Sequence, residues 1–147
     1  MSAIVVRKAR SEDLDAMAAI EAAQPTSAGW TKTQFAAELS RENALLLFCE
    51  LGGRPAGLLA AWFVGPEAQL FTVTVDPGQA RRGVGSALLN ELKAVARARG
   101  CTKVTLELSE RNTTAMVLYA REGGRVVGRR PKFYNDGADA LLMDLPL

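Results

Sequence analysis

Three consecutive apolar segments between residues 44 and 75 constrain the fold of this chain more than any other feature. LLLFCE is followed by the turn sequence GGR and then by PAGLLAAWFV, and AQLFTVTV occupies residues 68–75. Short apolar or β-branched runs bounded by glycine and proline are typical of strands, and a short glycine turn joins two of them as a hairpin. We therefore expect three sequential strands, the last ended by Asp76-Pro77-Gly78.

The segment before this run predicts one strand and two helices. IVVRKA over residues 4–9 is strand-like, and Ser11 is placed to cap a first helix that carries two acidic residues in its first turn. A second, shorter helix is predicted to begin at Thr31, because Gln34 lies three residues further on, in the position of a capping box.

After the run, helical patterns alternate with further strands. An amphipathic pattern predicts a helix over residues 84–99, and a strand over 103–109 and a helix over 111–122 follow. RVVGRR and ALLMDL predict the last two strands. The order β-α-α-β-β-β-α-β-α-β-β predicts a mixed sheet with helices on its faces, of the α/β or α+β class. Without a linker-like tract, we expect one domain over residues 1–147.

Composition argues against several classes of function. The net charge is only +2 and basic residues are interspersed with acidic ones, so nucleic acid is not an expected partner. No apolar run has the length of a membrane span or the form of a signal peptide, and Cys49 and Cys101 match no disulfide framework, which predicts a cytoplasmic protein without a membrane partner. The absence of histidine removes Ser-His and Cys-His triads and argues against a metal site.

The glycine-rich stretch GQARRGVGSALLN over residues 78–90 connects the third strand of the run to the amphipathic helix. One interpretation is a tight connection without a ligand. A Walker A loop is excluded because Val84 follows Gly83 where that loop needs lysine, and a Rossmann fingerprint is excluded because Leu88 replaces its third glycine.

A third interpretation is a different kind of diphosphate site. The first amide groups of a helix are unpaired and carry positive partial charge, and Arg81 and Arg82 add formal charge beside them. Glycine at positions 83 and 85 allows an anion to approach the backbone closely. On this interpretation the glycine-rich loop binds a diphosphate, and the ligand-free connection stays open beside it.

The stretch VTVDPGQARRGVGSALL resembles the acetyl-CoA-binding segment of the GCN5-related N-acetyltransferase (GNAT) superfamily, whose signature is Q/R-x-x-G-x-G/A, and the element order is also that of the family. The resemblance implies acetyl-CoA as cosubstrate and a mixed, mostly antiparallel seven-stranded sheet with splayed central strands and four flanking helices. The cofactor-binding residues that it implies are Val73, Thr74, Val75, Arg81, Arg82, Gly83, Val84, Gly85, Ser86 and Asn112. Because Ala80 replaces the first residue of the signature, we expect one weaker contact.

Three further stretches resemble the RimI group of this superfamily, whose reaction is the acetylation of the N-terminal alanine of a small-subunit ribosomal protein. They are LFTVTVDP, LELSERNTTAMVLYAREGG and RRPKFYNDGADALLMDLPL. This finer resemblance implies a protein N-terminal peptide as acceptor. Two alternatives stay open, namely a GNAT enzyme that acetylates lysine or a small amine, and a catalytically silent module that binds CoA or a partner protein.

Two residues are candidates for acid-base chemistry. Alternation along the strand KVTLELS places Glu107 on the face opposite its apolar side chains, where a solvated surface glutamate would also lie. Tyr119 lies two turns after Asn112 on the next helix and would fit equally well in the core. The RimI resemblance implies that Glu107 is the general base and Tyr119 the general acid, whose phenol (pKa ~10) can protonate a thiolate (pKa ~8.5).

Aromatic residues at two places are expected to flank the peptide entrance in this fold. Trp30 and Phe35 lie in the region of the first two helices, and Phe133 and Tyr134 lie between the last two strands. The RimI group commonly has Pro-Trp and Tyr-Tyr at these places, where this chain has Gly29-Trp30 and Phe133-Tyr134. The backbone of residues 73–75 is expected to pair with the pantetheine arm and to polarise the thioester, so that the acetyl group passes directly to the amine.

Overall fold

The structure, a computed structural model, describes residues 3–25 and 27–147. Its strands and α-helices follow one another in the predicted order. The strands are β1 (Ile4–Lys8), β2 (Ala44–Leu51), β3 (Arg54–Val64), β4 (Glu67–Val75), β5 (Lys103–Ser109), β6 (Arg125–Arg130) and β7 (Ala140–Pro146). The helices are α1 (Leu14–Ala23), α2 (Lys32–Leu39), α3 (Val84–Ala98) and α4 (Thr113–Arg121). None of the described helices is long and apolar enough to cross a membrane.

The strands form one seven-stranded sheet in the order β1-β2-β3-β4-β5-β7-β6. Its neighbours pair antiparallel except β4 and β5, which run parallel because α3 crosses over between them. The predicted fold, a mixed and mostly antiparallel sheet with four helices, is confirmed. The capping box at the start of α2 is also confirmed, since Thr31 Oγ1 accepts from the Gln34 amide at 3.2 Å.

The prediction that Ser11 caps α1 was wrong. Residues Ser11–Asp13 form a 3-10 turn before the helix, and the Arg10 amide donates to Asp13 Oδ2 at 2.8 Å. The Arg7 guanidinium holds the same carboxylate with two hydrogen bonds of 2.7 and 2.9 Å. Arg10 is therefore the N-cap of this turn, and Ser11 is its first residue and not the residue before it.

Helices cover the sheet on both faces, so neighbouring residues of β3 enter different cores. Leu59 packs in the cluster that contains Leu88 and Leu92 of α3, whereas Leu58 packs with Met17 of α1 and Phe35 of α2. Phe35 is fully buried in this second cluster, so the expectation that it flanks a peptide entrance was wrong. Its position inside the amphipathic pattern of α2 explains the burial.

A bulge in β4 and a gap beside it position the candidate site. The register between β3 and β4 shifts at Ala60 and Ala61, so that Phe71 has no partner of its own on β3. The parallel pairing of β4 with β5 ends at Leu70 and Leu106, although both strands continue. The predicted splay of the central strands is therefore present, and the backbone of the later part of each strand is free of its neighbour.

Candidate active site

Two cavities lie on opposite sides of the gap between β4 and β5. The first, here called the loop groove, has a volume of about 620 Å³ and lies against the glycine-rich loop and α4. The second, here called the open cleft, has a volume of about 1000 Å³ and lies over the sheet face that α1 and α2 leave uncovered. Val73, Asn112 and Ala115 line both cavities, so the two meet at the gap.

The glycine-rich loop leads into the uncapped start of α3. Arg81 and Gly83 have left-handed φ angles of 64° and 84°, and no side chain caps the helix that begins after Gly83. Backbone amides in such an arrangement converge on one point and attract an anion. The predicted cofactor residues that line the groove are Val73, Thr74, Val75, Arg81, Gly83, Val84, Gly85, Ser86 and Asn112, whereas Arg82 is exposed and is not part of its wall. Ala80, which replaces the usual first residue of the signature, also lines it.

Contacts and backbone conformation within the protein also explain why glycine occupies positions 83 and 85. Gly83 adopts the left-handed conformation that only glycine reaches at little cost. A Cβ at Gly85 would lie 3.0 Å from Leu118 Cδ2 of α4 and 3.7 Å from Val75 Cγ2. The sequence-based explanation of close approach by an anion is therefore incomplete, because the Leu118 side chain of α4 also packs closely against position 85.

The free edge of β4 presents its backbone to the gap. The Asp76 amide donates to Ala56 O on β3 at 2.8 Å, so the backbone groups of the odd-numbered residues Val73 and Val75 point away from β3. The Val75 carbonyl has a partner in a side chain, since Gln24 Nε2 donates to Val75 O at 2.8 Å. Sequence reasoning missed Gln24, because the bond joins positions 51 residues apart and no local pattern marks it.

A buried carboxylate connects the segment after α1 to the same strand. Glu21 is 1% exposed, and its Oε1 accepts from the Thr74 hydroxyl at 2.6 Å. Its Oε2 accepts from the Trp30 amide at 3.1 Å. The sequence signal for this residue is an acidic position between the apolar residues Ile20 and Ala22, and it was not used. Glu21 thus holds the backbone at Trp30 against β4, and Trp30 lines the open cleft.

Glu107 lies in the open cleft, on the face of β5 opposite the core, as its alternation predicts. Its side chain is 30% exposed, and its Oε2 is 3.6 Å from Arg130 Nε. Tyr134 lines the cleft from the loop between β6 and β7, and burial together with the negative charges of Glu107 and Asp136 raises its pKa. The structure therefore brings Glu107, Trp30 and Tyr134 to one cavity.

Tyr119 is buried in the core and also reaches the open cleft. It is 6% exposed and belongs to the core cluster on the α3 face, yet it also lines the open cleft through the gap. Burial raises the pKa of its phenol well above the ordinary value of 10.0. A phenol in this environment stays protonated at neutral pH and can donate a proton.

Asn112 likewise has a structural role that does not exclude a functional one. Its Oδ1 accepts from the Ala115 amide at 3.1 Å and caps α4. Because the cap uses the side-chain oxygen, the amide NH₂ group remains as a donor where the two cavities meet.

The loop that carries Phe133 and Tyr134 is held by one carboxylate. Asp139 accepts from Arg129 Nη1 at 2.7 Å and from the Lys132 amide at 2.9 Å. Phe133 is 48% exposed and packs edge-on against Tyr134 with ring centroids 5.1 Å apart, but it does not line the open cleft. Of the two aromatic residues that the sequence places at this entrance, only Tyr134 reaches the cavity.

Comparison with known proteins agrees with this geometry. The model of the acetyltransferase (GNAT) family matches residues 11–124, which include the glycine-rich loop, Glu107 and Tyr119. The chain belongs to the GNAT acetyltransferase family. The family assignment made from the glycine-rich loop and the order of elements is therefore confirmed.

Individual relatives are similar over nearly the whole chain. The [ribosomal protein bS18]-alanine N-acetyltransferase of Escherichia coli K12 is 33% identical over 121 residues, which are 80% of this chain and 81% of that protein. The crystal structure of the ribosomal-protein-S18-alanine N-acetyltransferase from Escherichia coli has a TM-score of 0.85 at 30% identity and covers 98% of this chain and 94% of its own. The yncA structure from Salmonella typhimurium, solved with its cofactor acetyl-CoA, has the same fold, with a TM-score of 0.82 at 23% identity over 99% and 94% of the two chains. The resemblance to the RimI group is thereby confirmed.

Proposed function

We propose that this acetyl-CoA-dependent N-acetyltransferase transfers the acetyl group to the N-terminal α-amine of a protein, by direct attack within a ternary complex. The observation that carries the proposal is the continuity of the two cavities through the gap between β4 and β5. An anion-binding loop lies at one end of this passage, and Glu107 and Tyr119 lie toward the other. The acetyl donor and the acceptor amine would thus approach each other from opposite faces of the sheet.

The loop groove suits the CoA part of the donor. Backbone amides of residues 81–86 would bind the diphosphate, with Arg81 adding positive charge at the rim. The pantetheine arm would lie along β4, where Val73 presents a free amide and carbonyl, and Asn112 would donate to it from α4. A backbone amide directed at the thioester oxygen would stabilise the negative charge that develops there.

Glu107 is assigned as the general base. Its carboxylate would accept the proton that the amine loses as its nitrogen bonds to the thioester carbon, directly or through one water. At pH 7 about a tenth of an α-amine with pKa ~8 is neutral, whereas less than about one part in a thousand of a lysine with pKa ~10.4 is neutral. A protein N-terminus is therefore a more favourable acceptor than a lysine for this base, because a much larger fraction of its amine is already neutral.

Tyr119 is assigned as the general acid. As the carbon–sulfur bond breaks, the phenol would give its proton to the departing CoA thiolate. Burial keeps the phenol protonated at neutral pH but also makes it a weaker acid, so the assignment rests on its position beside the gap, near the expected thioester. No covalent acyl-enzyme is required, because the amine attacks the thioester itself.

The acceptor is assigned to a polypeptide because the open cleft is wide and lies on an uncovered sheet face between Trp30 and Tyr134. The Escherichia coli relatives named for acetylation of ribosomal protein S18 support this class of substrate.

We assign the reaction to the cytoplasm, with a ribosomal protein as a candidate partner. We expect neither nucleic acid nor a membrane to be a partner. We also propose that residues 1–147 act as one domain, since a single sheet connects all its elements.

The proposal is tested by measuring CoA release from acetyl-CoA with a panel of acceptors. The panel contains Ala-initiated peptides, the same peptides with a blocked N-terminus, lysine peptides and polyamines. Turnover is expected with the free Ala-initiated peptides and not with the blocked ones. Turnover on lysine or polyamines alone would support the small-amine or lysine alternative, and CoA binding without any turnover would support a silent binding module.

A further inference from the structure

We propose that Trp30, Trp62 and Phe71 form an aromatic subsite that binds an apolar or aromatic side chain near the N-terminus of the acceptor polypeptide. The inference rests on the proposed function, because it requires a polypeptide in the open cleft. It adds Trp62 of β3 and Phe71 of β4 to Trp30, the only one of the three that the sequence analysis considered.

The subsite is a separate small cavity beside the open cleft. Its volume is about 240 Å³, and it is lined by Trp30, Gln34, Ala37, Glu38, Trp62 and Phe71. The rings of Trp62 and Phe71 meet edge-on with centroids 4.8 Å apart, and the ring centroids of Phe71 and Trp30 are 6.2 Å apart. The cavity is below the range of about 300–1,000 Å³ typical of sites for small molecules, and it suits a single side chain.

Polar contacts at the edge of the cavity hold the indole ring of Trp62 in place. Trp62 Nε1 donates to Glu38 Oε2 at 2.6 Å, and Arg41 Nε pairs with the same oxygen at 3.2 Å. The Arg41 guanidinium also lies 4.4 Å from the centroid of the Trp62 ring. Because the indole N–H and the Glu38 carboxylate satisfy each other, the open part of the cavity presents aromatic surface to an incoming group.

The bulge in β4 makes Phe71 available to a ligand. Phe71 is the residue that the shifted register leaves without a partner on β3, and it remains 38% exposed between the two indoles. An exposed aromatic ring held between two others is costly in water and is typical of a surface that another molecule covers.

The register of the sheet gives the distance from the proposed base. Trp62 is opposite Gln69, and Gln69 is opposite Thr105, two residues before Glu107. Two strand spacings and two residues along a strand separate the Cα atoms of Trp62 and Glu107 by about 12 Å. An extended peptide advances about 3.4 Å per residue, so an acceptor with its amine near Glu107 would bring one of residues two to four to the subsite.

Continuity identifies the occupant as part of the same acceptor. Trp30 and Phe71 line both the open cleft and the small cavity, so a chain in the cleft passes directly over the subsite. The residues that line the small cavity include the Glu38 carboxylate and no cation, and the nearby Arg41 guanidinium is paired with Glu38. An apolar or aromatic side chain is therefore the group that this surface favours.

The test measures kcat/KM for Ala-initiated peptides that carry phenylalanine, leucine or glycine at position two, three or four and are otherwise identical. At one of these positions we expect phenylalanine to exceed glycine by about ten-fold, the effect of burying one aromatic side chain in part. Ala37→Phe fills the cavity from α2 and should reduce this ratio to about two-fold or less. Ala36→Phe, an equal change at a neighbouring exposed position of α2 outside the cavity, should keep the ratio.

Each outcome has a distinct meaning. The ratio compares two peptides on one variant, so a folding defect that lowers both rates does not alter it. Equal rates for all three side chains at every position would overturn the subsite and leave the proposed function standing. The same ratio in Ala37→Phe and Ala36→Phe would also overturn it, and no acetylation of any peptide would overturn the proposed function and the subsite with it.

Discussion

The carboxylate of Glu21 accepts a hydrogen bond of 2.6 Å from the hydroxyl of Thr74, on the strand that borders the gap. Its second oxygen accepts from the Trp30 amide, so one buried side chain joins helix α1, the segment before α2 and the splayed part of β4. These are the parts of the molecule between which an acceptor would enter. The hydrogen bonds of Glu21 therefore contribute both to the packing of α1 on the sheet and to the position of Trp30 in the open cleft.

Glu21→Ala is expected to destabilise the fold and to impair use of the acceptor. The Trp30 amide would lose its partner inside the protein and the Thr74 hydroxyl would keep only Thr72, at a cost of about 3 kcal/mol in the free energy of unfolding. The KM for peptide should rise more than the KM for acetyl-CoA, because Trp30 lines the open cleft and not the loop groove. Urea unfolding and separate KM values check both effects.

Glu42→Ala provides a matched control for this variant. Glu42 is an exposed glutamate of the turn before β2, and its replacement should leave the free energy of unfolding within about 0.5 kcal/mol of the wild-type value. A Glu21→Ala protein with wild-type stability and wild-type KM for peptide would contradict the positioning role of Glu21.

Glu107→Gln is expected to lower kcat by about a hundred-fold and to leave the affinity for CoA nearly unchanged. Without the carboxylate, only the acceptor molecules that are already neutral can react, so the pH optimum should move upward toward the pKa of the amine, ~8. The pH profile of kcat and calorimetric titration with CoA measure the two quantities. A variant with wild-type rates would remove Glu107 from the mechanism.

Arg130→Gln separates loss of the base from loss of its ion pair. The variant keeps the Glu107 carboxylate and removes the guanidinium 3.6 Å away. A partly exposed pair of this kind contributes about 1 kcal/mol or less, so kcat should fall by less than ten-fold and the pH optimum should not move upward. Equal effects of the two substitutions would point to the ion pair and not to proton transfer.

Tyr119→Phe is expected to lower kcat by about ten- to a hundred-fold with little change in thermal stability. The substitution keeps the buried ring in the core and removes only the proton that the thiolate would receive. Because burial raises the pKa of this phenol above 10.0, the wild-type rate should show no loss from its ionisation up to about pH 9. A Tyr119→Phe enzyme with unchanged kcat would assign protonation of the thiolate to water.

Asp13→Asn tests an electrostatic contribution to stability at the start of α1. Hydrogen bonds from Arg7 and the Arg10 amide lower the pKa of Asp13 below its unfolded value, so the ionised carboxylate stabilises the fold at neutral pH. That contribution is present above pH ~4 and is lost as pH falls through the lowered pKa. Urea unfolding should therefore show a difference of about 2 kcal/mol between wild type and variant at pH 7, and a smaller one near pH 3.

Asp15→Asn is the comparison for this experiment. Asp15 lies on the same helix and pairs with Lys32, but its side chain is 84% exposed. Its replacement should change the unfolding free energy little at either pH. A difference between wild type and Asp13→Asn that stays constant from pH 7 to pH 3 would contradict the linkage.

The sequence predicts the order and bounds of the elements well because these depend on local periodicity and caps. Lys103–Ser109 begins and ends where the alternation of KVTLELS does, and Thr31 with Gln34 forms the expected box. Ser11 fails as a cap because the helical turn begins one residue earlier, with Arg10 as its N-cap. Asp13, which binds the Arg10 amide, is held by a guanidinium from β1, and no local pattern contains that contact.

The site is predictable only as far as its residues belong to motifs. The glycine-rich loop was predicted from its spacing and Glu107 from the resemblance to the RimI group, whereas Gln24 and Glu21 form hydrogen bonds to β4 that span more than fifty residues. The aromatic cavity depends on a bulge that turns Phe71 toward α2, and alternation along AQLFTVTV does not predict a bulge.

The most direct measurement is the position of the acetyl group on a peptide that begins with alanine and also contains one lysine. After incubation with the enzyme and acetyl-CoA, fragmentation by mass spectrometry distinguishes the α-nitrogen from the lysine Nζ. The account predicts acetylation of the α-nitrogen, and its loss in Glu107→Gln at pH 7. Acetylation of the lysine alone, or no acetylation by a protein that binds CoA, would contradict it.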